Sequence, residues 1–85
     1  MKTTIYTVGA TTPVLIHSTS FGSQTIYIQA TTNDIHLGGS NVSATDGLDE
    51  PKNGFQQIFM DEQETLYAIA STGTATVKVL SPSNS

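Results

Sequence analysis

Short segments in which side chains alternate with a period of two run through almost the whole chain. In residues 24–31, Ile26 and Ile28 fall on one side of such a segment. Tyr27 and Gln29 fall on the other side. Alternation of this kind places successive side chains on opposite faces of a β-strand, whereas an amphipathic helix needs a period of about 3.6 residues. The chain is therefore expected to fold from strands.

The same alternation predicts seven strands and no helix. They cover residues 2–8, 14–17, 24–31, 35–37, 55–60, 65–70 and 75–80. β-Branched residues favour strands, and 14 of the 85 residues are threonine. The segment Ser71-Thr72-Gly73-Thr74 predicts a hairpin between the last two strands. We therefore expect an all-β fold, a small antiparallel β-sandwich or barrel of about seven short strands.

One domain is expected, over residues 1–80, with a polar tail at residues 81–85. Its least regular part is a long loop at residues 38–54, which contains four glycines and a proline. Loops of this length in compact domains are usually functional or disordered. Val42 and Leu48 indicate that this loop packs on its own domain or on a neighbour. With Phe55, they are the predicted partner contacts.

The charge composition excludes several classes of function. The chain has 3 basic and 7 acidic residues, a net charge of −4, and only 12% charged residues. Three scattered lysines cannot neutralise a phosphate backbone, so we expect no nucleic-acid partner. The absence of cysteine excludes disulfides, iron–sulfur clusters and thiolate zinc sites. No apolar run is long enough for a signal peptide or a membrane span, so we expect neither.

The small apolar content predicts a partner. Only 36% of the residues are hydrophobic, and ordering each residue costs about 1.5 kcal/mol in conformational entropy. Natural domains of this size add disulfides, a metal or a partner to offset that cost. Since disulfides are impossible here and a metal is not expected, association with another protein or a homo-oligomer is the favoured hypothesis.

Two histidines were considered as metal ligands. His17 and His36 occupy strand positions opposite the apolar side, and two imidazoles would supply half of a zinc site. No spacing provides a third ligand, so surface histidines are the favoured interpretation and no metal is predicted.

Two acidic clusters were considered in the same way. Asp46, Asp49 and Glu50 offer carboxylates of the kind that calcium prefers, but without the regular ligand spacing of an EF-hand. A turn at Asp46-Gly47 is the alternative. The connection at residues 61–64 holds three more carboxylates, which could serve acid–base chemistry. Adjacent positions on one connection favour solvated side chains instead.

No catalytic motif is present. None of the nine serines lies in a Gly-x-Ser-x-Gly elbow, and no phosphate-binding glycine loop occurs. We therefore predict no enzymatic activity and no cofactor.

Tyr6, Tyr27 and Tyr67 are assigned to exposed strand positions, where they could stack on sugars. Packing across neighbouring strands is the favoured alternative.

The second half of the chain resembles a known group of proteins. Residues 26–29 read IYIQ, residues 33–42 read NDIHLGGSNV, residues 45–47 read TDG, and residues 64–80 read ETLYAIASTGTATVKVL. Over residues 24–80, this pattern is similar to small virion proteins of tailed bacteriophages, and its most specific element is the terminal LYAIASTGTATVKVL. Residues 48–54 depart from the pattern, being more charged and containing a proline.

The resemblance implies a non-enzymatic virion protein, made in the host cytoplasm and located on the capsid. We expect a decoration or cement subunit that docks on the major capsid protein, or on other virion proteins, and stabilises the head. A neck or tail component is one alternative. A carbohydrate-binding β module that uses the tyrosines is another.

Overall fold

The computed structural model describes residues 2–19, 22–43 and 47–81. These residues form eight strands and no helix. The strands are β1 (Lys2–Gly9), β2 (Val14–Ser18), β3 (Gln24–Thr31), β4 (Ile35–Gly38), β5 (Leu48–Glu50), β6 (Phe55–Met60), β7 (Thr65–Ala70) and β8 (Thr74–Ser81). The predicted all-β class is confirmed.

The strands form two four-stranded antiparallel sheets that pack together as a sandwich. Sheet A has the order β1-β8-β3-β6, and sheet B has the order β2-β7-β4-β5. Every pairing is antiparallel. Of the two predicted architectures, sandwich or barrel, the structure is the sandwich.

The pairing of the strands is nested. β1 pairs with β8, β2 with β7, β3 with β6, and β4 with β5, as if one long hairpin had been rolled up. Consecutive strands therefore alternate between the sheets, except for β4 and β5. Eight antiparallel strands in two sheets with this connectivity form a jelly roll.

The predicted hairpin at residues 71–74 is wrong. β7 belongs to sheet B and β8 to sheet A, so this turn carries the chain from one sheet to the other. Gly73 supplies a left-handed backbone conformation, with φ of 60°. The Asn33 side-chain amide donates to the carbonyls of Thr72 and Thr74, at 3.1 and 2.8 Å. A local turn signal thus predicted the turn but not the sheet that follows it.

Two boundaries also differ from the prediction. β5 lies inside the predicted loop at residues 38–54 and pairs with β4 through Ile35↔Glu50, His36↔Asp49 and Leu37↔Leu48. At the other end, Ser81 is a buried residue of β8 rather than part of a polar tail. The remaining tail residues 82–85 and Asp46 of the acidic cluster lie outside the described residues.

The inner faces of both sheets supply the core. Its buried members are Val8, Ile16, Ile26, Ile28, Ala30, Ile35, Leu37, Met60, Leu66, Ala68, Ala70, Ala75, Val77 and Val79. The predicted faces of residues 24–31 and 75–80 are confirmed, because Ile26, Ile28 and Val77 are buried. Alternation then directs the remaining side chains of each strand toward the two outer faces of the sandwich.

Candidate functional site: the outer face of sheet A

Large apolar side chains lie exposed on the outer face of sheet A. Ile5, Phe55 and Phe59 are 61%, 69% and 67% exposed. The half-buried Tyr27 and Leu80 lie on the same side of the sheet. We call these five residues the apolar face. Isolated apolar residues are common on protein surfaces, but a contiguous group of large ones marks an interaction site.

The register of sheet A places these five residues in three neighbouring rows of one face, with Phe59 beside Thr25 in the outermost row. Ile5 pairs with Lys78, Lys78 with Gln29, and Gln29 with Phe55, so one row crosses all four strands. In a second row, Leu80 lies beside Tyr27. Neighbours on one face of adjacent strands have Cβ atoms about 4.5–5.5 Å apart. Residues far apart in sequence therefore form one surface.

A groove of about 420 Å³ runs through this surface. Its walls include Tyr27, Phe55 and Leu80, and its polar positions include Gln29 and Lys78. The rings of Tyr27 and Phe55 have centroids 6.3 Å apart and planes inclined by 39°. Such a tilted aromatic pair gives the groove a defined wall.

The apolar face also differs from the rest of the chain in charge. The four strands of sheet A contain two lysines, Lys2 and Lys78, and no aspartate or glutamate. The chain has a net charge of −4, so the residues outside these strands carry −4 − 2 = −6. Within the described ranges, Lys78 forms no ion pair. The apolar face therefore carries an unneutralised cation.

Part of the outer face of sheet B, at β4, is covered by Val42, whereas Leu15 on the same face of β2 is 43% exposed. Val42, in the link between β4 and β5, is only 4% exposed. A Cβ on Gly47 would lie 2.6 Å from Val42 Cγ2 and 3.3 Å from His36 Cβ. Val42 and Gly47 thus lie close to the outer side of β4, where Val42 packs. Ile69, which points to this side of β7 next to His36, is 5% exposed.

The three predicted partner contacts are therefore separated by the structure. Val42 is removed from the accessible surface by packing on its own domain. Leu48 is 51% exposed but lies in sheet B, whereas Phe55 lies on the apolar face of sheet A. The prediction missed Ile5 and Phe59. Phe59 shares the parity of Phe55, a signal readable in the sequence, while Ile5 joins them only through long-range strand pairing.

The histidines are not the surface residues that were expected. His36 is buried, and its Nδ1 lies 2.7 Å from Asp49 Oδ1. A β-bulge between Leu15 and His17 sets His17 beside Leu66, facing sheet A, where its Nε2 lies 2.9 Å from Gln24 Oε1. Each imidazole thus has a structural partner. Across residues 2–19, 22–43 and 47–81, no three His, Asp or Glu side chains come together as metal ligands.

The carboxylates of β5 point to opposite sides. Asp49 faces outward to His36, while Glu50 pairs with buried Ile35 and is 1% exposed. Two side chains on opposite faces of a strand cannot hold one calcium ion. Among the described groups, Glu50 Oε2 has no hydrogen-bond partner, and burial raises the pKa of Glu50 above its ordinary value of 4.5.

The acidic connection at residues 61–64 forms a hydrogen-bonded turn. The amide of Asp61 donates to Glu64 Oε1 at 2.7 Å, and the amide of Glu64 donates to the Thr19 hydroxyl oxygen at 3.0 Å. That hydroxyl donates to the Asp61 carbonyl at 2.6 Å. The carboxylates themselves are exposed, as the solvated interpretation predicted. Their arrangement serves the turn between β6 and β7.

The tyrosines do not share a surface. Tyr6 packs against the core, contrary to its predicted exposed position. Tyr27 faces outward from sheet A, and Tyr67 pairs with Leu15 and Gly38 in sheet B. The three tyrosines therefore lie on three different faces, the inner and outer faces of sheet A and the outer face of sheet B, and cannot form one stacking platform for a sugar.

Comparisons with protein-family models, with curated proteins and with solved structures find no match for this chain. In the described part of the chain, no helical segment has the length and apolar character needed to cross a membrane.

Proposed function

We propose that this chain is a non-enzymatic structural subunit of a tailed-bacteriophage virion. In this role it decorates the head, docking on the major capsid protein through the apolar face. The observation that carries the proposal is the exposure of Ile5, Phe55 and Phe59 on one face of the domain. Surfaces of this kind mark protein–protein contacts.

The fold and the sequence pattern supply independent support. Jelly rolls are frequent in viral capsid and lectin domains. That is an analogy at the level of fold, and it favours no partner by itself. The resemblance of residues 24–80 to small virion proteins favours the capsid over a lectin role. The separated positions of the three tyrosines also disfavour sugar binding.

The mechanism is passive burial of apolar surface. Moving one exposed phenylalanine side chain out of water contributes about 1.5–3 kcal/mol, so Phe55 and Phe59 together supply a substantial part of a docking energy. Binding to the folded state alone also stabilises the domain. Many copies on a symmetric shell multiply weak contacts, and a subunit that bridges neighbours resists their separation.

The test compares capsid shells with and without the purified protein. We expect the wild-type protein to bind the shells of the phage that encodes it and to raise their resistance to heat and low salt. The double variant Phe55→Ala and Phe59→Ala should lose most of this binding, at least about tenfold. A matched control is Leu15→Ala with Leu48→Ala, which removes two exposed leucines from sheet B and should leave binding intact.

Each outcome has a definite meaning. Failure of the wild-type protein to bind shells, or binding to purified tails instead, overturns the decoration role. Equal loss of binding in the phenylalanine and leucine variants overturns the assignment of the apolar face. Thermal melts of all variants separate lost binding from lost folding.

A further inference from the structure

We infer that the surface docked on the apolar face presents a carboxylate to Lys78, next to an apolar side chain that enters the groove. This inference rests on the proposed docking role and specifies the chemistry of its partner. It predicts that the partner patch is acidic as well as apolar.

The position of Lys78 requires an opposite charge on the docked partner. It lies in the middle of the apolar face, between Ile5 on β1 and Gln29 on β3. Its own sheet offers no carboxylate, and no described residue forms an ion pair with it. A partner that covers this face strips water from the ammonium group. That loss must be compensated by an opposite charge, or the docked state is strongly disfavoured.

The groove provides a space for an apolar group beside Lys78. Its volume of about 420 Å³ lies between Tyr27, Phe55 and Leu80, with Lys78 among the lining residues. An apolar group that enters this space comes close to the ammonium group. Apolar and acidic groups side by side on the partner would therefore satisfy both halves of the site at once.

A second copy docked face to face does not provide this chemistry. A two-fold interface brings the same patch of each copy together. Because the outward positions of the sheet A strands carry Lys78 and no carboxylate, such a contact would bring together two lysines with no carboxylate to pair them. The carboxylates of the described residues lie in sheet B and in the links between strands. The complementary carboxylate is therefore assigned to a different protein.

The first experiment tests the site without any virion. Isotope-labelled protein is titrated with 4-phenylbutyrate, and with 4-phenylbutylamine and 4-phenylbutanol as cationic and neutral analogues. We expect the backbone signals of Tyr27, Phe55 and Leu80 to shift. The carboxylate should bind about fivefold more tightly than the alcohol, as one partly exposed charge pair allows.

The matched variants are Lys78→Met and Lys52→Met. Both remove one exposed lysine and change the net charge equally, but Lys52 lies in the link between β5 and β6, outside the row of sheet A that carries Lys78. Lys78→Met should abolish the preference for the carboxylate, and Lys52→Met should keep it. No preference in the wild-type protein, or an equal loss in both variants, overturns the inference. The spectra themselves report whether each variant is folded.

The second experiment uses capsid shells. Lys78→Glu should weaken shell binding by at least about tenfold, the scale of a close charge pair at an interface, while Lys52→Glu should not. If shells bind both variants equally, the carboxylate inference fails and the docking role stands. If phenylbutyrate binds as expected but shells do not, the docking role fails and the site stands. Concentration-dependent self-association abolished by Lys78→Glu would assign the carboxylate to a second copy and overturn the inference.

Discussion

Two outward regions of this sandwich differ in exposure: the part of sheet B at β4 and β7, and the β6 edge of sheet A. On sheet B, the outward residues Ile69 and His36 are buried, and Val42 and Gly47 lie close to the outer side of β4. On sheet A, the outward residues Phe55 and Phe59 remain mostly exposed. Apolar residues at outward positions thus have two fates within one small domain. An outward apolar side chain therefore signals a partner only where the fold itself does not cover it.

The largest expected difference between the two regions is the loss of unfolding free energy in Ile69→Ala compared with that in Phe59→Ala. Ile69 is buried on its face, so its truncation removes packed atoms and should cost about 2–5 kcal/mol of unfolding free energy. Phe59 is 67% exposed, and its truncation should cost no more than about 0.5 kcal/mol. Urea denaturation of the isolated protein measures both. Equal costs would show that the two faces do not differ as described.

A test of intermediate size concerns the close approach of the covering link to β4. Gly47→Ala places a Cβ 2.6 Å from Val42 Cγ2 and 3.1 Å from the Leu37 carbonyl oxygen, so the link must shift, at a cost of about 1–3 kcal/mol. Gly9→Ala is the matched control because nothing lies within 4 Å of its added Cβ. Thermal and urea unfolding should separate the two variants. A Gly47→Ala protein as stable as Gly9→Ala would mean that the link does not pack as described.

The smallest expected effect concerns the buried carboxyl group of Glu50 in sheet B. Burial raises the pKa of Glu50 above 4.5, so the folded state holds this proton more tightly than the unfolded state. The contribution of Glu50 to stability is then favourable at low pH and is lost as pH rises from 4.5 through the folded pKa. Glu50→Gln removes the charge, and it should raise the unfolding free energy at pH 7 by about 1 kcal/mol.

The control for this variant is Glu62→Gln, at an exposed position of the turn between β6 and β7. Unfolding is followed between pH 4 and pH 8 for the wild-type protein and both variants. Only Glu50→Gln should flatten the decline in stability toward neutral pH. A decline that persists in Glu50→Gln would assign it to another group.

Much of the fold follows from local pattern, and the exceptions have physical causes. Unbroken alternation in β3 and β8 made their faces predictable. A single inserted residue at the bulge before His17 reversed its side of the sheet, which alternation alone cannot anticipate. β5 was missed because three residues, two of them acidic, have the composition of a loop and become a strand only by pairing with β4.

The candidate site was predictable only in part. Phe55 was selected from the sequence, and Phe59 shares its parity four residues on. Ile5, Tyr27 and Leu80 join them through pairings between strands distant in the chain, which no local pattern specifies. The burial of Val42 likewise depends on the path of a link that returns over its own sheet. Long-range register, rather than composition, therefore defines the apolar face.

The nested pairing of the jelly roll has a consequence for how the molecule forms. Sheet A takes its strands from both ends and the middle of the chain, and its first pairing joins Lys2 to Ser81. Neither sheet is continuous in sequence: sheet A needs both β1 and β8, and a fragment that holds all of sheet B also holds two strands of sheet A, β3 and β6. Proteins dominated by such distant pairings fold slowly, in about milliseconds to seconds. We therefore expect one cooperative transition with no stable half-molecule, in which removal of either terminal strand abolishes the whole fold.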